Sequence, residues 1–171
     1  DKVILVLNGV NINCSTGSGI YGVQSDKIII TLAAGTQNTI SDGSSYTLES
    51  GTDEPNAAVF SKDDLTLNGT GTLTVSGNYQ NGILSKDDLV IAGGTYIVTA
   101  VNDALRGRDS ITITDGKFTI NAGADGFQSN NDEDTEKGTV NISGGSFDIT
   151  AGNDGIQAYT GLTISGGTFD I

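Results

Sequence analysis

Short runs of alternating apolar and polar residues recur along the chain and are separated by turns rich in Gly, Asp and Asn. The segment GILSKDDLVIAGGTYIVTA, at 82–100, contains three such runs, I-L-S, L-V-I and Y-I-V. Each has the period of two that is typical of strands. Asp-Asp and Gly-Gly pairs lie between the runs, where turns are expected. The pattern predicts three short strands in each unit and no long helix.

The units repeat about every 22 residues. One apolar column, Leu65, Leu89, Ile111, Val140 and Leu162, has steps of 24, 22, 29 and 22 residues. A second column consists of Val59, Ile83, Leu105, Phe127 and Ile156. An insertion, NNDEDTEKG at 130–138, accounts for the step of 29. Repetition at a fixed interval of this length is typical of stacked repeat architectures.

The fold prediction follows from the three strand types, because each is self-similar over a full unit. Successive hairpins would not produce that pattern. We therefore predict an all-β protein with a right-handed parallel β-helix, a solenoid with about 22 residues in each three-strand coil. A single domain is expected over 1–171, with irregular coils in 1–54 and regular coils in 55–171. The segment 41–56 is predicted to be an excursion loop.

Residue parity along the strands predicts the interior of the solenoid. Aromatic residues of the third strand, Tyr96, Phe118, Phe147 and Phe169, are expected to form one internal stack. Small residues of the first strand are expected to point inward where the cross-section is tight; they are Ser61, Ser85, Gly107, Ser129 and Ala158. Cys14, the single cysteine, is predicted to be a buried structural thiol.

Charge narrows the possible partners. The chain has 21 Asp and Glu but only 8 Lys and Arg, which gives a net charge of −13. Nucleic acids and anionic membranes require a basic surface, so neither is expected as a partner. No transmembrane run or signal peptide is recognised, and no membrane insertion is expected. The composition suits a secreted or cell-surface protein in a medium rich in divalent cations.

Paired carboxylates recur at the turn after the first strand. SKDDL occurs twice, which places Asp63, Asp87 and Asp109 in one column and Asp64 and Asp88 in the next. Equivalent residues of stacked strands lie about 4.8 Å apart. Two carboxylates at that distance repel by about 0.9 kcal/mol in water and about 3.5 kcal/mol at an effective dielectric of 20. A bound divalent cation would turn this repulsion into attraction.

A second polar column precedes the first strand, and the insertion adds further oxygen ligands. The column contains Asn81, Asp103, Asp125 and Asp154. Without His and with one distant Cys, the chain is a poor site for zinc, copper or iron. We predict Ca²⁺, with candidate ligands Asp63, Asp64, Asp87, Asp88, Asp103, Asp109, Asp125, Asn131, Asp132 and Asp134. The alternative is that these residues only form turns and side-chain ladders.

The outward positions of the first strand predict a ligand-binding ridge. In the predicted register they are Gln24, Phe60, Leu84, Arg106, Gln128 and Gln157, with Lys62, Lys86 and Arg108 beside them. Arg binds carboxylates bidentately and Gln offers both donors and acceptors. Phe60 and Leu84 are expected to be exposed, either stacking on a sugar or lying under the 41–56 loop. A long polymer is the ligand that suits such a face.

Several motifs resemble a known family. SKDDL-x-I-x-GG, NDALRGRDSITIT, GADGFQSNNDED and GNDGIQAYTGLTISGG, with LNGVNI and AAGTQNTISDGSSYT near the start, are similar to the extracellular carbohydrate-binding β-helix proteins of cellulolytic clostridia. Those proteins resemble calcium-dependent pectate lyases. The resemblance implies binding of cellulose and of acidic sugars such as polygalacturonate. It also implies calcium at the turns of Asp63/Asp64, Asp87/Asp88, Asp103/Asp109 and Asp125.

Binding without catalysis is the function that we favour. A pectate lyase needs a Lys or Arg base for β-elimination, and the candidates are Lys62, Lys86, Arg106 and Arg108. None has an obvious desolvating pocket that would lower its pKa, so the lyase stays an alternative. A third possibility is a surface solenoid that calcium only rigidifies. Nothing in the pattern indicates an oligomeric state.

Overall fold

The computed structural model describes all residues, 1–171, and contains strands, turns and loops but no helix. In chain order the strands are β1 Lys2–Leu7, β2 Asn11–Asn13, β3 Ile20–Gly22, β4 Lys27–Leu32, β5 Gln37–Ser41, β6 Ala57–Ser61, β7 Asp64–Gly69, β8 Thr72–Gly77, β9 Asn81–Ser85, β10 Asp88–Ala100, β11 Leu105–Gly107, β12 Ser110–Ala122, β13 Phe127–Ser129, β14 Thr139–Ile142, β15 Ser146–Ala151, β16 Ile156–Ala158, β17 Gly161–Ile164 and β18 Thr168–Asp170. The all-β prediction is confirmed. No helix is present that is long and apolar enough to cross a membrane.

Every strand pair in the protein is parallel, and the strands form two sheets. The six-stranded sheet has the order β16-β13-β11-β9-β6-β3, and the other sheet has 12 strands. Both apolar columns align as predicted, with Leu65 paired to Leu89 and Ile83 paired to Leu105. Each strand therefore pairs with its equivalent one repeat away, which is compatible with the predicted β-helix.

The second and third strands of two repeats are joined, which differs from the prediction of three separate strands. β10 and β12 each run for 13 residues, and the β10–β12 register shifts between Ile91 and Thr95. Gly93 and Gly94 have φ values of 104° and 99°, in the region that favours glycine. These glycines let one strand turn the corner between two faces without leaving the sheet.

The interior contains the predicted aromatic stack. The ring centroids of Tyr96 and Phe118 are 5.2 Å apart, those of Phe118 and Phe147 are 4.8 Å apart, and those of Phe147 and Phe169 are 4.5 Å apart. The Tyr96 hydroxyl donates to the Gly93 carbonyl at 2.8 Å, and burial raises the pKa of this phenol. Tyr96, Phe118 and Phe147 belong to one core cluster of 28 buried residues that spans the repeats, and the partly buried Phe169 packs against that cluster.

Two irregular segments interrupt the repeats. Residues 42–56 form no strand, and Asp42 holds the start of this segment by accepting from the Tyr46 hydroxyl at 2.6 Å. The Tyr46 ring stacks on Tyr79 with centroids 4.3 Å apart. Residues 130–138 likewise form no strand between β13 and β14. Cys14 is only half-buried, so the prediction of a buried thiol is wrong, because the irregular first repeat leaves it near the surface.

Candidate functional site

The outward positions of the six-stranded sheet form a single file, which we call the ridge. In register order it consists of Tyr21, Phe60, Leu84, Arg106, Gln128 and Gln157. Tyr21 therefore takes the place that was predicted for Gln24, which follows the end of β3. The error arises because repeat spacing is irregular in the first third of the chain. Arg106 is the one charged member of the ridge, as predicted.

Phe60 and Leu84 are buried, so the prediction that they are exposed is wrong. They are 1% and 3% exposed and cluster with Ala57. The Tyr21 ring packs edge-on against Phe60, with centroids 5.5 Å apart. Asp53, Glu54 and Asn56 lie beside Leu84 in the same cleft, which supports the alternative of loop coverage. Tyr21, 40% exposed, is the aromatic side chain that this end of the ridge offers to a ligand.

Two clefts adjoin each other between the ridge and the 42–56 segment. The larger, about 690 Å³, is lined by Tyr21, Val23, Lys62 and part of that segment. The smaller, about 180 Å³, is lined by cationic, polar and apolar side chains, namely Leu84, Ser85, Lys86, Arg106, Arg108 and Asn56. Asp53 and Glu54 line both clefts. Sequence reasoning missed these two acids because the fold of a non-repeating loop leaves no periodic signal, and it missed Tyr21 of β3 because repeat spacing is irregular there.

Half of the eight cations of the chain lie in these clefts, and two of these four form a hydrogen-bonded pair with a carboxylate. Lys86 pairs with Glu54, and Arg108 pairs with Glu133 of the insertion. The Glu133 carboxylate raises the pKa of the Arg108 guanidinium, through a hydrogen bond and its charge. The Arg106 guanidinium is 3.7 Å from the Asp103 carboxylate, too long for a hydrogen bond. Lys62 has no carboxylate within 4.0 Å.

The predicted column of carboxylates is present, and its charges interact. The pKa of Asp87 is raised, first by burial and then by the charges of Asp109, Asp63 and Asp64. Burial also acts on Asp109, but hydrogen bonds from Lys137 and Asn131 outweigh it and lower the pKa of that carboxyl. Burial and the charges of the column therefore both act against ionisation of Asp87.

Neighbouring side chains relieve much of the repulsion in the column. The Lys137 ammonium lies 2.7 Å from the Asp109 carboxylate, and the Lys27 ammonium lies 3.4 Å from that of Asp64. The Ser110 hydroxyl donates to Asp88 at 2.7 Å. Sequence reasoning missed both cations. Lys137 belongs to the non-repeating insertion, and Lys27 is in register with Asp64 in the irregular first third of the chain.

The second polar column is a hydrogen-bonded ladder. The Asp103 N–H donates to the Asn81 side chain at 3.2 Å, and the Asp125 N–H donates to the Asp103 carboxylate at 3.2 Å. The Asp154 N–H donates to Asp125 at 3.0 Å, and Gln128 occupies the other carboxylate oxygen at 2.6 Å. The carboxylates of Asp103 and Asp125 therefore serve the backbone of the next repeat, as the ladder alternative proposed.

The insertion lies against the carboxylate column, as the sequence suggested. The Asn131 amide donates to Asp109, and its oxygen accepts from the N–H groups of Glu133 and Asp134 at 3.0 and 3.1 Å. Asp132 and Asp134 are exposed. Nowhere in the protein do three Asp, Glu, His or Cys side chains converge as metal ligands. The side chains as positioned do not complete the 6–8 oxygen ligands of calcium, and calcium binding stays a prediction.

Comparison with known proteins places the geometry in context. Residues 1–171 match the model of a family described as carbohydrate-binding domain-containing protein. A protein of that description from Acetivibrio thermocellus is 42% identical over 100 residues, which are 58% of this chain and 35% of the relative. The matched region thus spans about a third of that relative. A polysaccharide lyase-like protein from C. thermocellum, solved as a gadolinium derivative, superposes with a TM-score of 0.90 at 34% identity, covering 98% of this chain and 78% of the other.

Proposed function

We propose, since the chain belongs to the family of carbohydrate-binding domain-containing proteins, that it binds plant cell-wall polysaccharide along the ridge and its two clefts. The ligands that we propose are cellulose and acidic sugars such as polygalacturonate. One observation carries the proposal: four of the eight cations, Lys62, Lys86, Arg106 and Arg108, line two adjoining clefts of a chain whose net charge is −13.

The clustered cations suit an acidic polymer. A protein with this net charge repels a polyanion at long range, so binding requires local positive charge that is fixed in place. Arg106 and Arg108 lie two residues apart in the smaller cleft. Arg binds carboxylates through two parallel hydrogen bonds, so the contact is both strong and specific in its orientation. Uronate carboxylates at Lys86, Arg106 and Arg108 would then lie along the stacked repeats.

The uncharged part of the site suits sugar hydroxyls. The side-chain oxygens of Asn56 and Gln157 are buried and accept no hydrogen bond from the protein. Buried acceptors of this kind are costly without a donor. Asn56 lines the smaller cleft, and Gln157 belongs to the ridge. Hydroxyl groups of a neutral or acidic polysaccharide supply such donors, and the exposed Tyr21 ring offers a stacking surface.

The hand of the β-helix, the location of the protein and calcium binding are further parts of this proposal. The parallel pairing of equivalent strands supports a β-helix, and a right hand is expected from the usual hand of parallel crossovers. A secreted or cell-surface location suits a polysaccharide ligand. Calcium binding is a separable element, with the Asp63, Asp87 and Asp109 column as its site. The pKa of Asp87, raised by burial and by the charges of neighbouring carboxylates, supports it, because a bound cation would relieve that repulsion. Polysaccharide binding as proposed does not depend on calcium.

Binding to soluble polygalacturonate and to insoluble cellulose tests the proposal. Each would be measured with calcium and after chelation, while absorbance reports any unsaturated product. Binding without product supports a binding module. Failure to bind either polymer would contradict the proposal and favour a surface solenoid with a structural role.

A polysaccharide lyase is the second candidate, because the structural neighbour is described as polysaccharide lyase-like. In this chain Lys86 or Arg106 would be the base that removes the proton beside the uronate carboxylate. Both side chains are partly exposed, at 40% and 25%, and both lie near carboxylates. Product formation that Arg106→Ala abolishes while binding persists would establish this candidate.

A further inference from the structure

Two loop carboxylates pair with cations of the smaller cleft, beside the ridge, at the place where a ligand carboxylate would bind. Glu54 comes from the 42–56 segment and pairs with Lys86, 32 residues away. Glu133 comes from the 130–138 insertion and pairs with Arg108, 25 residues away. These two segments are the main departures from the repeat, and each supplies one Glu to the same group of cations.

The Glu54–Lys86 and Glu133–Arg108 ion pairs are exposed enough to separate at little cost in free energy. The side chain of Glu133 is 76% exposed and that of Arg108 is 34% exposed, while Glu54 and Lys86 are 22% and 40% exposed. Ion pairs with this much solvent contact contribute little to stability. A released Glu regains its hydration, and the cation forms the same kind of bond with a new carboxylate. Exchange of a loop carboxylate for a ligand carboxylate therefore costs little.

We infer that Glu54 and Glu133 are displaceable placeholders on Lys86 and Arg108, and that they set how strongly the site prefers acidic over neutral polysaccharide. The inference rests on the proposed function. When a polyuronate binds, its carboxylates replace the Glu54 and Glu133 side chains on Lys86 and Arg108. A neutral polysaccharide has no carboxylate to replace the two Glu side chains, so it binds while both ion pairs remain formed.

Substitution of each Glu by Gln removes the placeholder with little change in shape. Glu54→Gln and Glu133→Gln should each raise the affinity for polygalacturonate about two- to fivefold, the range that an exposed ion pair allows. Affinity for the fully methyl-esterified polymer, which lacks the carboxylates, should stay unchanged. The gain should shrink at high salt, because these pairs are exposed to screening.

Matched controls separate displacement from a general loss of negative charge. Asp53→Asn removes one charge from the residue next to Glu54, in the same two clefts, but Asp53 pairs with no cation. Glu136→Gln does the same within the insertion. Equal gains in the variants and their controls would overturn the inference, because charge alone would then explain them. A loss of affinity in either Gln variant would also overturn it.

Failure of the inference and failure of the proposed function give different results. If the wild type binds polygalacturonate and the Gln variants match their controls, only the inference fails. If no variant binds either form of the polymer, both fail together. If the wild type binds weakly and the double variant binds clearly, the inference is supported in its strongest form.

Discussion

The carboxylate of Asp103 accepts a hydrogen bond from the backbone N–H of Asp125, 22 residues later, at 3.2 Å. The Asp103 N–H in turn donates to the Asn81 side chain. Each polar side chain of this column thus accepts a hydrogen bond from the backbone of the following repeat, in the turn that precedes the strand of the ridge. The ladder fixes the position of each turn relative to the equivalent turn of the next repeat, just before the strands of the ridge begin.

Asp103→Ala should lower the free energy of unfolding by about 1–3 kcal/mol, because it leaves the buried N–H of Asp125 without a partner. Asp103→Asn keeps the acceptor, as Asn81 does in the preceding repeat, and should match or exceed the wild type at pH 7. Urea denaturation of both variants measures this. An equal loss for Ala and Asn would contradict the ladder.

The difference in unfolding free energy between the Asp103→Asn protein and the wild type should also depend on pH, in a defined direction. The pKa of Asp103 is raised, chiefly by burial, with the Asp125 charge also acting upward. The folded state then holds this proton more tightly than the unfolded state, so wild-type stability falls as pH rises through that window. The advantage of Asn should be present at pH 7 and vanish below about pH 4.

Lys137→Gln should lower the melting temperature at pH 7, because the buried Asp109 carboxylate loses its cation. The pKa of Asp109 is lowered in the folded state despite burial, so its contribution is present above the unfolded value and is lost as pH falls. The difference from wild type should therefore narrow below about pH 4. Lys117→Gln, which removes an exposed lysine without a carboxylate partner, is the control; identical pH profiles would contradict the assignment.

Phe118→Ala should cost about 3–5 kcal/mol in unfolding free energy. The ring is buried between Tyr96 and Phe147, so its removal leaves a cavity within the stack. Phe169→Ala, in the last repeat, should cost less because that ring is only partly buried. Thermal and urea denaturation compare the two. A larger loss at Phe169 would mean that the final repeat, rather than the central stack, limits stability.

Arg106→Ala should weaken polygalacturonate binding about tenfold, the range for a charged hydrogen bond, and weaken cellulose binding less. Arg106 is the ridge cation whose nearest carboxylate is too distant for a hydrogen bond, which leaves its donors for the ligand. Lys117→Ala makes the same change in net charge away from the clefts. Equal losses for both polymers would remove Arg106 from the acidic-sugar role.

Calcium should raise the melting temperature if the Asp63, Asp87 and Asp109 column binds it. A ligand at a hundred times its Kd adds about 2.7 kcal/mol to the unfolding free energy. Asp87→Ala combined with Asp88→Ala should abolish that response, with magnesium and a chelated sample as controls. An unchanged wild-type melting temperature in saturating calcium would count against the ion column.

The repeat register was predictable from sequence because apolar columns define it. Moving Leu89 by one residue against Leu65 would turn every core side chain of the strand outward. Loop coverage of Phe60 and Leu84 was one of two alternatives that the sequence left open, because the contacts of residues 42–56 depend on single side chains such as Glu54 rather than on a periodic pattern. The charge relief by Lys137 was missed for the same reason. The similarity between repeats predicts the strands and core positions that they share. The clefts are formed by the segments in which the repeats differ, and no repeat pattern predicts those.

The stacking of equivalent strands has a consequence for avidity. Neighbouring repeats are about 4.8 Å apart, so Lys62, Lys86 and Arg108, one on each of three successive repeats, form a row of weak contacts at regular intervals. Each additional sugar that reaches a further repeat binds at the high effective concentration set by its neighbours. The affinity should therefore grow steeply with oligosaccharide length until the row is filled, and then level off. Stacked parallel repeats of this kind would thus select ligands by their length as well as by their charge.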